Sequence, residues 1–214
     1  MKIALYGATG SIGQRILAEA LRRGHEVTAI VRDPSRLNAA PGTNLSVVTG
    51  DAQDTANVAA LVAGHDAVIG SISGRRDGDA DLIPAAARSL IEGSTKAGVK
   101  RLLWVGGAGS LEVAPGVRLI DSPSFPEIYL PEAKAGIEVL NTFRALPEGL
   151  DWTYFSPAAE IAPGERTGKF RTAGDQLVVD AEGKSHISIE DYAVALLDEI
   201  ENPKHIRERF TVGY

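Results

Sequence analysis

Three glycines at G-x-x-G-x-x-G spacing, in Gly7-Ala8-Thr9-Gly10-Ser11-Ile12-Gly13, follow the apolar run Ile3-Ala4-Leu5-Tyr6 directly and precede a helical pattern directly. In a strand-turn-helix setting this spacing builds a pyrophosphate cradle. Gly7 permits the tight turn, Gly10 lets backbone approach the anion, and Gly13 lets the helix pack closely on the strand. Thr9, Ser11 and Ile12 then lie at a helix N-terminus, whose amide groups attract negative charge. A glycine turn that merely starts a helix is the plainer alternative.

The second set of chemical residues lies at the end of the next apolar run, in Val31-Arg32-Asp33-Pro34-Ser35-Arg36. Dinucleotide folds read the adenosine ribose roughly 20 residues beyond the glycine turn. A carboxylate there accepts hydrogen bonds from a ribose 2′-hydroxyl, whereas Arg32 and Arg36 pair with a 2′-phosphate. The arginines favour NADP(H) over NAD(H). Asp33, one position later, leaves open that it is the acidic reader of NAD and that Arg32 is solvated. Asp51 is placed for an adenine contact, and Ser71, Ile72 and Ser73 for the adenine-proximal ribose and pyrophosphate. Each of these also has a plain reading as a turn former.

The elements that must position these residues alternate. Short apolar runs fit buried strands at residues 2–6, 26–31, 45–48, 67–71, 101–105 and 152–155, with a last strand around 209–212. Between them, Ile12, Ile16, Leu17, Ala20 and Leu21 form one helical face that Gly24 terminates. Further helices are expected over residues 55–62, 82–97 and 131–146. Another, started by the Ser188-to-Asp191 spacing, runs through Ile200. The pattern predicts one α/β domain over residues 1–214, a Rossmann-like, doubly wound parallel sheet. Residues 108–130 and 157–185, rich in Gly, Pro and Ser, follow the fifth and sixth strands and are expected to grip a second substrate. Trp104 and Trp152 are assigned to the core.

With these residues in place the chain resembles the atypical short-chain dehydrogenase/reductases of the NAD(P)H-binding, NmrA-like group, and is most similar to the NADH-flavin reductase-like and biliverdin reductase B-like proteins. The resemblance spans nearly the whole chain. It rests on the Gly7 to Gly13 turn, on Arg32-Asp33-Pro34-Ser35-Arg36-Leu37, on Gly106-Gly107-Ala108-Gly109-Ser110-Leu111, and on Arg209-Phe210-Thr211-Val212-Gly213-Tyr214. It implies hydride transfer from a nicotinamide to a free flavin, a substrate rather than a bound prosthetic group, or to a similar diffusible acceptor such as a quinone or tetrapyrrole. It also implies that Gly106, Lys134 and Pro157 lie along the nicotinamide half.

The catalytic residues are where the chain departs from the wider group, which carries a Tyr-x-x-x-Lys pair. Here Tyr129 and Lys134 are five apart with Pro131 between them, whereas a lysine tuning a tyrosine needs a spacing of three or four. Pro131 reads as a helix start, leaving Tyr129 outside the helix. Gly107 stands where biliverdin reductase B carries a serine, so Ser110 is the nearest hydroxyl. Ser110, Tyr129 and Lys134 are the catalytic candidates. Each has a plain alternative: Lys134 as a solvated helical lysine, Tyr129 as a cover for apolar surface, the Pro157 turn as packing. Flavin reduction needs less from the protein, because the acceptor ring can take its proton from solvent and positioning does most of the work. Arg166 and Lys169, in a loop that only superficially resembles a phosphate loop, could attract a flavin phosphate or be solvated.

Composition narrows the alternatives. Of 214 residues, 22 are Lys or Arg and 28 Asp or Glu, a formal charge of -6, which disfavours nucleic acid as a partner. Without cysteine and with four scattered histidines no metal site is expected. No secretory signal pattern or membrane-length apolar stretch is seen, so a cytoplasmic location is expected; a monomer or weak homodimer is the expected assembly. Two rival readings stand beside the reductase: a non-catalytic NADP(H) sensor of the NmrA type, and an epimerase or dehydratase acting on a nucleotide-linked sugar.

Overall fold

A computed structural model describes residues 1–39, 42, 44–74 and 78–214. The short apolar runs pair side by side because their backbone groups, stripped of water, must find partners in one another. In chain order the strands are β1 (Lys2–Tyr6), β2 (Glu26–Val31), β3 (Leu45–Thr49), β4 (Ala67–Gly70), β5 (Arg101–Val105), β6 (Glu112–Ala114), β7 (Val117–Arg118), β8 (Asp151–Ser156), β9 (Glu160–Ala162), β10 (Arg171–Ala173), β11 (His186–Ser188) and β12 (Glu208–Gly213). The helices are α1 (Ser11–Arg22), α2 (Thr55–Val62), α3 (Leu82–Lys96), α4 (Leu130–Arg144) and α5 (Ile189–Glu201).

The main sheet has the order β10-β12-β8-β5-β4-β1-β2-β3, parallel throughout except for β10 against β12. The chain moves outward from β1 to β3, then returns to the other side of β1 as β4. The crevice beyond the carboxyl ends of β1 and β4 is therefore the topological switch point, where open α/β sheets bind ligands.

Helices α1 and α5 cover one face, over Ile3, Leu5, Ile16, Leu17, Leu103 and Leu196. There Phe155 stacks between Tyr192 and Phe210, with ring centroids 4.1 Å apart on each side. Helices α2, α3 and α4 cover the other face, where Phe143 lies against Trp104 and Trp152. Both tryptophans are buried, as expected from their strand positions, and each such side chain contributes on the order of 2–3 kcal/mol by leaving water. Ser188 starts α5 as its spacing predicts, its hydroxyl accepting the Asp191 amide at 2.9 Å.

Two expectations need correction. β3 is not buried on both faces: it is the sheet's outer strand, and Ser46, Val47 and Thr49 are exposed. The segments after β5 and β8 are not plain loops. The first carries the β6–β7 hairpin and the second carries β9 and β10, with β9 pairing in parallel with β11.

Candidate functional site

The glycine turn sits at the switch point. Gly7 has φ +83°, a left-handed conformation that side chains resist, and a Cβ there would also run into the carbonyl of Ser71. A Cβ on Gly13 would strike the carbonyl of Gly7. Both glycines are thus required by the protein's own packing. Gly10 differs, because a Cβ there would meet nothing nearer than the Gly7 oxygen at 3.4 Å. Gly10 is also the N-cap of α1 with no side-chain cap, so the opening amides of α1 face the crevice without a protein acceptor among the described residues. Open space above a glycine, over uncapped helical N–H groups, is a cradle for an external anion. Thr9 keeps its carbonyl on the Gln14 side chain at 3.2 Å, while Ser11 is exposed and Ile12 half-buried beside the turn.

On the adenosine side the structure places Arg32 and Arg36 exposed after β2. Asp33 lies between them and caps the short helical turn Pro34–Arg36. Its Oδ1 accepts both the Ser35 amide at 3.0 Å and the Ser35 hydroxyl at 2.6 Å, and these bonds hold its carboxyl below the usual range. Asp51 has a similar local engagement, its Oδ1 accepting the Gln53 amide at 2.9 Å.

Toward the other end of the crevice, Ser71 and Ile72 are half-buried in the loop after β4, and the Ser71 amide continues the ladder by donating to Tyr6. Ser73 donates its hydroxyl to Glu132 Oε1 at 2.6 Å, tying this loop to the first turn of α4. Gly106 is a glycine because Tyr154 lies against it; a Cβ would enter the ring. The Tyr154 hydroxyl accepts the Gly107 amide at 3.2 Å and donates to the Gly136 carbonyl at 3.0 Å. Burial pushes this phenol up to about 12, so it keeps its proton and its donor role at neutral pH. Gly107 itself faces open space. Pro157 is buried at the end of β8, and its carbonyl accepts the Thr211 hydroxyl at 3.3 Å.

Among the described residues no hydrogen bond joins the three catalytic candidates. The Ser110 hydroxyl accepts Arg209 Nη1 at 3.1 Å. Tyr129 is the N-cap of α4, outside the helix as Pro131 implies, and 44% exposed. Lys134 is exposed and shares a groove on the outer flank of α4 with Leu130, Ile137, Arg118, Ile120 and Asp121. At 3.6 residues per turn it points roughly 200° away from Glu132, the residue of α4 that meets the β4 loop. Glu132 is not among the residues the sequence singles out; it lies four residues before Gly136, on the same face of the helix.

Behind Ser110 the two acceptor-side segments are joined. Glu112 bonds through its amide to Asp175 and through its carbonyl to Leu177, and Asp175 takes Arg209, whose side chain is almost wholly buried. Arg144 of α4 also reaches Asp175, at 3.1 Å. The loop at 164–170 is closed on carboxylates of its own chain. Asp191 accepts the amides of Thr167 and Gly168 at 2.8 and 2.7 Å, Glu190 accepts that of Gly164, and Arg166 is bidentate to Glu19. Arg166 stays exposed and has Glu19 as its partner. Among the described residues no group of three or more His, Asp or Glu side chains is poised for a metal ion. No helix among them is long and apolar enough to cross a membrane.

A family model described as NAD(P)H-binding matches residues 7–203. Among solved structures the chain is similar to a candidate exported protein of Burkholderia pseudomallei, at 48% identity and TM-score 0.91 with 100% of both chains covered. It is similar to a candidate epimerase of Bacteroides thetaiotaomicron at 46% identity and TM-score 0.92, covering 100% of this chain and 96% of that one. A candidate NADH-flavin reductase of Streptococcus pneumoniae matches at 36% identity and TM-score 0.84, over 100% and 99% of the two chains.

Proposed function

The chain belongs to the NAD(P)H-binding family, and from that premise we propose that it is an NADP(H)-dependent reductase passing hydride to a free flavin or a comparable diffusible acceptor. The observation that carries the reading is Gly10: its open face over the uncapped start of α1 fits a pyrophosphate and has no role in the protein's own packing.

In this reading the amides of Ser11 and Ile12, with Thr9 beside them, hold the pyrophosphate between Gly7 and Gly13. Arg32 and Arg36 take the 2′-phosphate. The NADP(H) preference is supported by Asp33, which spends one carboxylate oxygen on its own turn. Asp51, Ser71 and Ile72 border the adenosine half. Gly106, Gly107 and Pro157 border the nicotinamide, which supplies the hydride when bound. Gly107 leaves room for two flat rings to approach, and Tyr154 fixes the Gly107 backbone from behind, so the chain's contribution is proximity and orientation.

Among the described residues no hydrogen bond joins Ser110, Tyr129 and Lys134 into one proton donor, which supports a flavin over a carbonyl acceptor. Ser110 is turned to Arg209 and Lys134 lies on the far flank of α4. A flavin takes hydride at N5 and a proton from water, so neither residue is needed. Likeness to the Streptococcus pneumoniae protein supports the same acceptor. A quinone or tetrapyrrole would meet the same demands. We place the protein in the cytoplasm as a monomer or weak homodimer; cell fractionation tests the first, given the exported description of the Burkholderia relative.

The test is the initial rate of NADPH and of NADH oxidation with and without FMN. FMN-dependent turnover faster with NADPH is expected. Tight NADPH binding with no turnover above the spontaneous background overturns the reductase reading in favour of a sensor.

A further inference from the structure

Glu132, Ser73, Gly136 and Gly107 meet at one place over the sheet. Gly136 packs at the end of β5, where a Cβ would lie 3.2 Å from the Tyr154 hydroxyl and 4.0 Å from the Gly107 nitrogen. Glu132 is one helical turn earlier on the same face of α4, so its carboxylate overhangs the ends of β4 and β5. There one of its partners is the Ser73 hydroxyl. Ser73 in turn belongs to the loop whose Ser71 carbonyl touches Gly7. A dinucleotide with its pyrophosphate on the Gly7 to Gly13 turn and its ring at Gly107 must carry its second ribose past this carboxylate.

We propose that Glu132 binds the hydroxyls of the nicotinamide ribose, with the Ser73 hydroxyl holding the carboxylate in position. The assignment rests on the dinucleotide reading above. Vicinal ribose hydroxyls are donors, and a carboxylate with two oxygens accepts from both, as dinucleotide folds do at the adenosine end. Lys134, the residue that family likeness puts in this role, points the opposite way.

The choice of a carboxylate has a consequence that a lysine would reverse. The reduced ring is neutral; when a hydrogen leaves with its electron pair, the ring becomes a cation. A negative charge one ribose away attracts that cation and favours its formation. Glu132 should therefore hold the oxidised dinucleotide more tightly than the reduced one, an asymmetry that a purely structural bond to Ser73 would not produce.

Calorimetric titration of the wild type, Glu132→Gln and Glu132→Ala with NADP+, NADPH and adenosine 2′,5′-bisphosphate tests this. Melting curves check that each variant is folded, and Glu132→Gln retains an acceptor for Ser73. The bisphosphate lacks the second ribose and should bind all three proteins equally. In Glu132→Ala, NADP+ should weaken about tenfold and NADPH about threefold. In Glu132→Gln the difference between the two dinucleotides should vanish. Unchanged dinucleotide affinity, tighter binding on loss of the carboxylate, or equal weakening of all three ligands would overturn the assignment. A wild type that binds neither dinucleotide overturns the underlying reading instead, and that result is visible before any variant is made.

Discussion

Replacing Gly10 and Gly13 separately by alanine should split binding from stability. A methyl at position 13 lands on the Gly7 carbonyl, inside the 3.0 Å that Cβ atoms essentially never cross, and both atoms belong to backbone that other packing fixes. Relief requires α1 to move off β1, which costs at least about 3 kcal/mol by the measure of overpacked cores. For a chain of this size that lowers Tm by roughly 6–12 °C. Among the described residues a methyl at position 10 meets only one protein atom, at 3.4 Å, an ordinary contact. The Gly10 backbone, φ -80° and ψ 164°, suits alanine, so the cost is that of a poorer N-cap, about 1 kcal/mol and a few degrees. The same methyl occupies the space above the N-terminus of α1. Losing one or two charge-assisted hydrogen bonds to a pyrophosphate costs about 2–4 kcal/mol, or ~30- to 1000-fold in Kd. Thermal melts and NADPH titrations of the two variants decide the matter. Normal NADPH affinity in a folded Gly10→Ala protein would refute the cradle. A large loss of stability there would refute the claim that the space is kept for a ligand.

Arg32→Ala should raise KM for NADPH about 10- to 100-fold while leaving that for NADH within about twofold, since one charge-assisted bond to the 2′-phosphate is removed; equal changes in steady-state kinetics count against the arginine. Tyr154→Phe strands the Gly107 amide and removes the side-chain donor from the Gly136 carbonyl, which keeps its helical bond, and a loss of about 1–3 kcal/mol in denaturant unfolding is expected together with a lower kcat. Burial by itself would raise the Glu19 carboxyl, yet hydrogen bonds from Arg166, Arg22 and Arg23 hold it well below the usual range. Its contribution to stability is therefore complete above about pH 4.5, the ordinary value, and drains away as pH falls below it, because the unfolded chain takes up the proton first. Melting curves from pH 7 to pH 3 should fall less steeply for Glu19→Gln than for the wild type, from a lower starting point.

The parts of the fold legible in the sequence were those where one physical signal dominates. β1, β2, β5 and α2 have the bounds that apolar runs and turn residues imply, because burial of the strands and the Asp54 cap of the helix leave little latitude in where they begin and end. β3 was misjudged because Leu45-Ser46-Val47-Val48 carries nothing to say whether a neighbour lies on its far side. Arg171-Thr172-Ala173 gave no sign of a strand, since β10 exists only through its pairing with β12. In the site, the glycine turn was readable because its φ angles and close approaches are local. The position of Glu132 was not, because it depends on Ser73, 59 residues away. The link between Ser110 and Arg209 is likewise a fact of packing across 99 residues.

The stitching of residues 108–130 to residues 157–185 bears on how the choice of acceptor can change in descent. Glu112, Asp175, Leu177 and the buried Arg209 form a set of partners drawn from three stretches of chain. A relative that altered residues 157–185 and lost Asp175 while keeping Arg209 would inherit a buried guanidinium without its carboxylate. Variation on this side of the crevice must travel in blocks, with position 209 carried along. Hybrid proteins that exchange residues 157–185 together with position 209 should fold, and those that lose Asp175 but keep Arg209 should be markedly less stable.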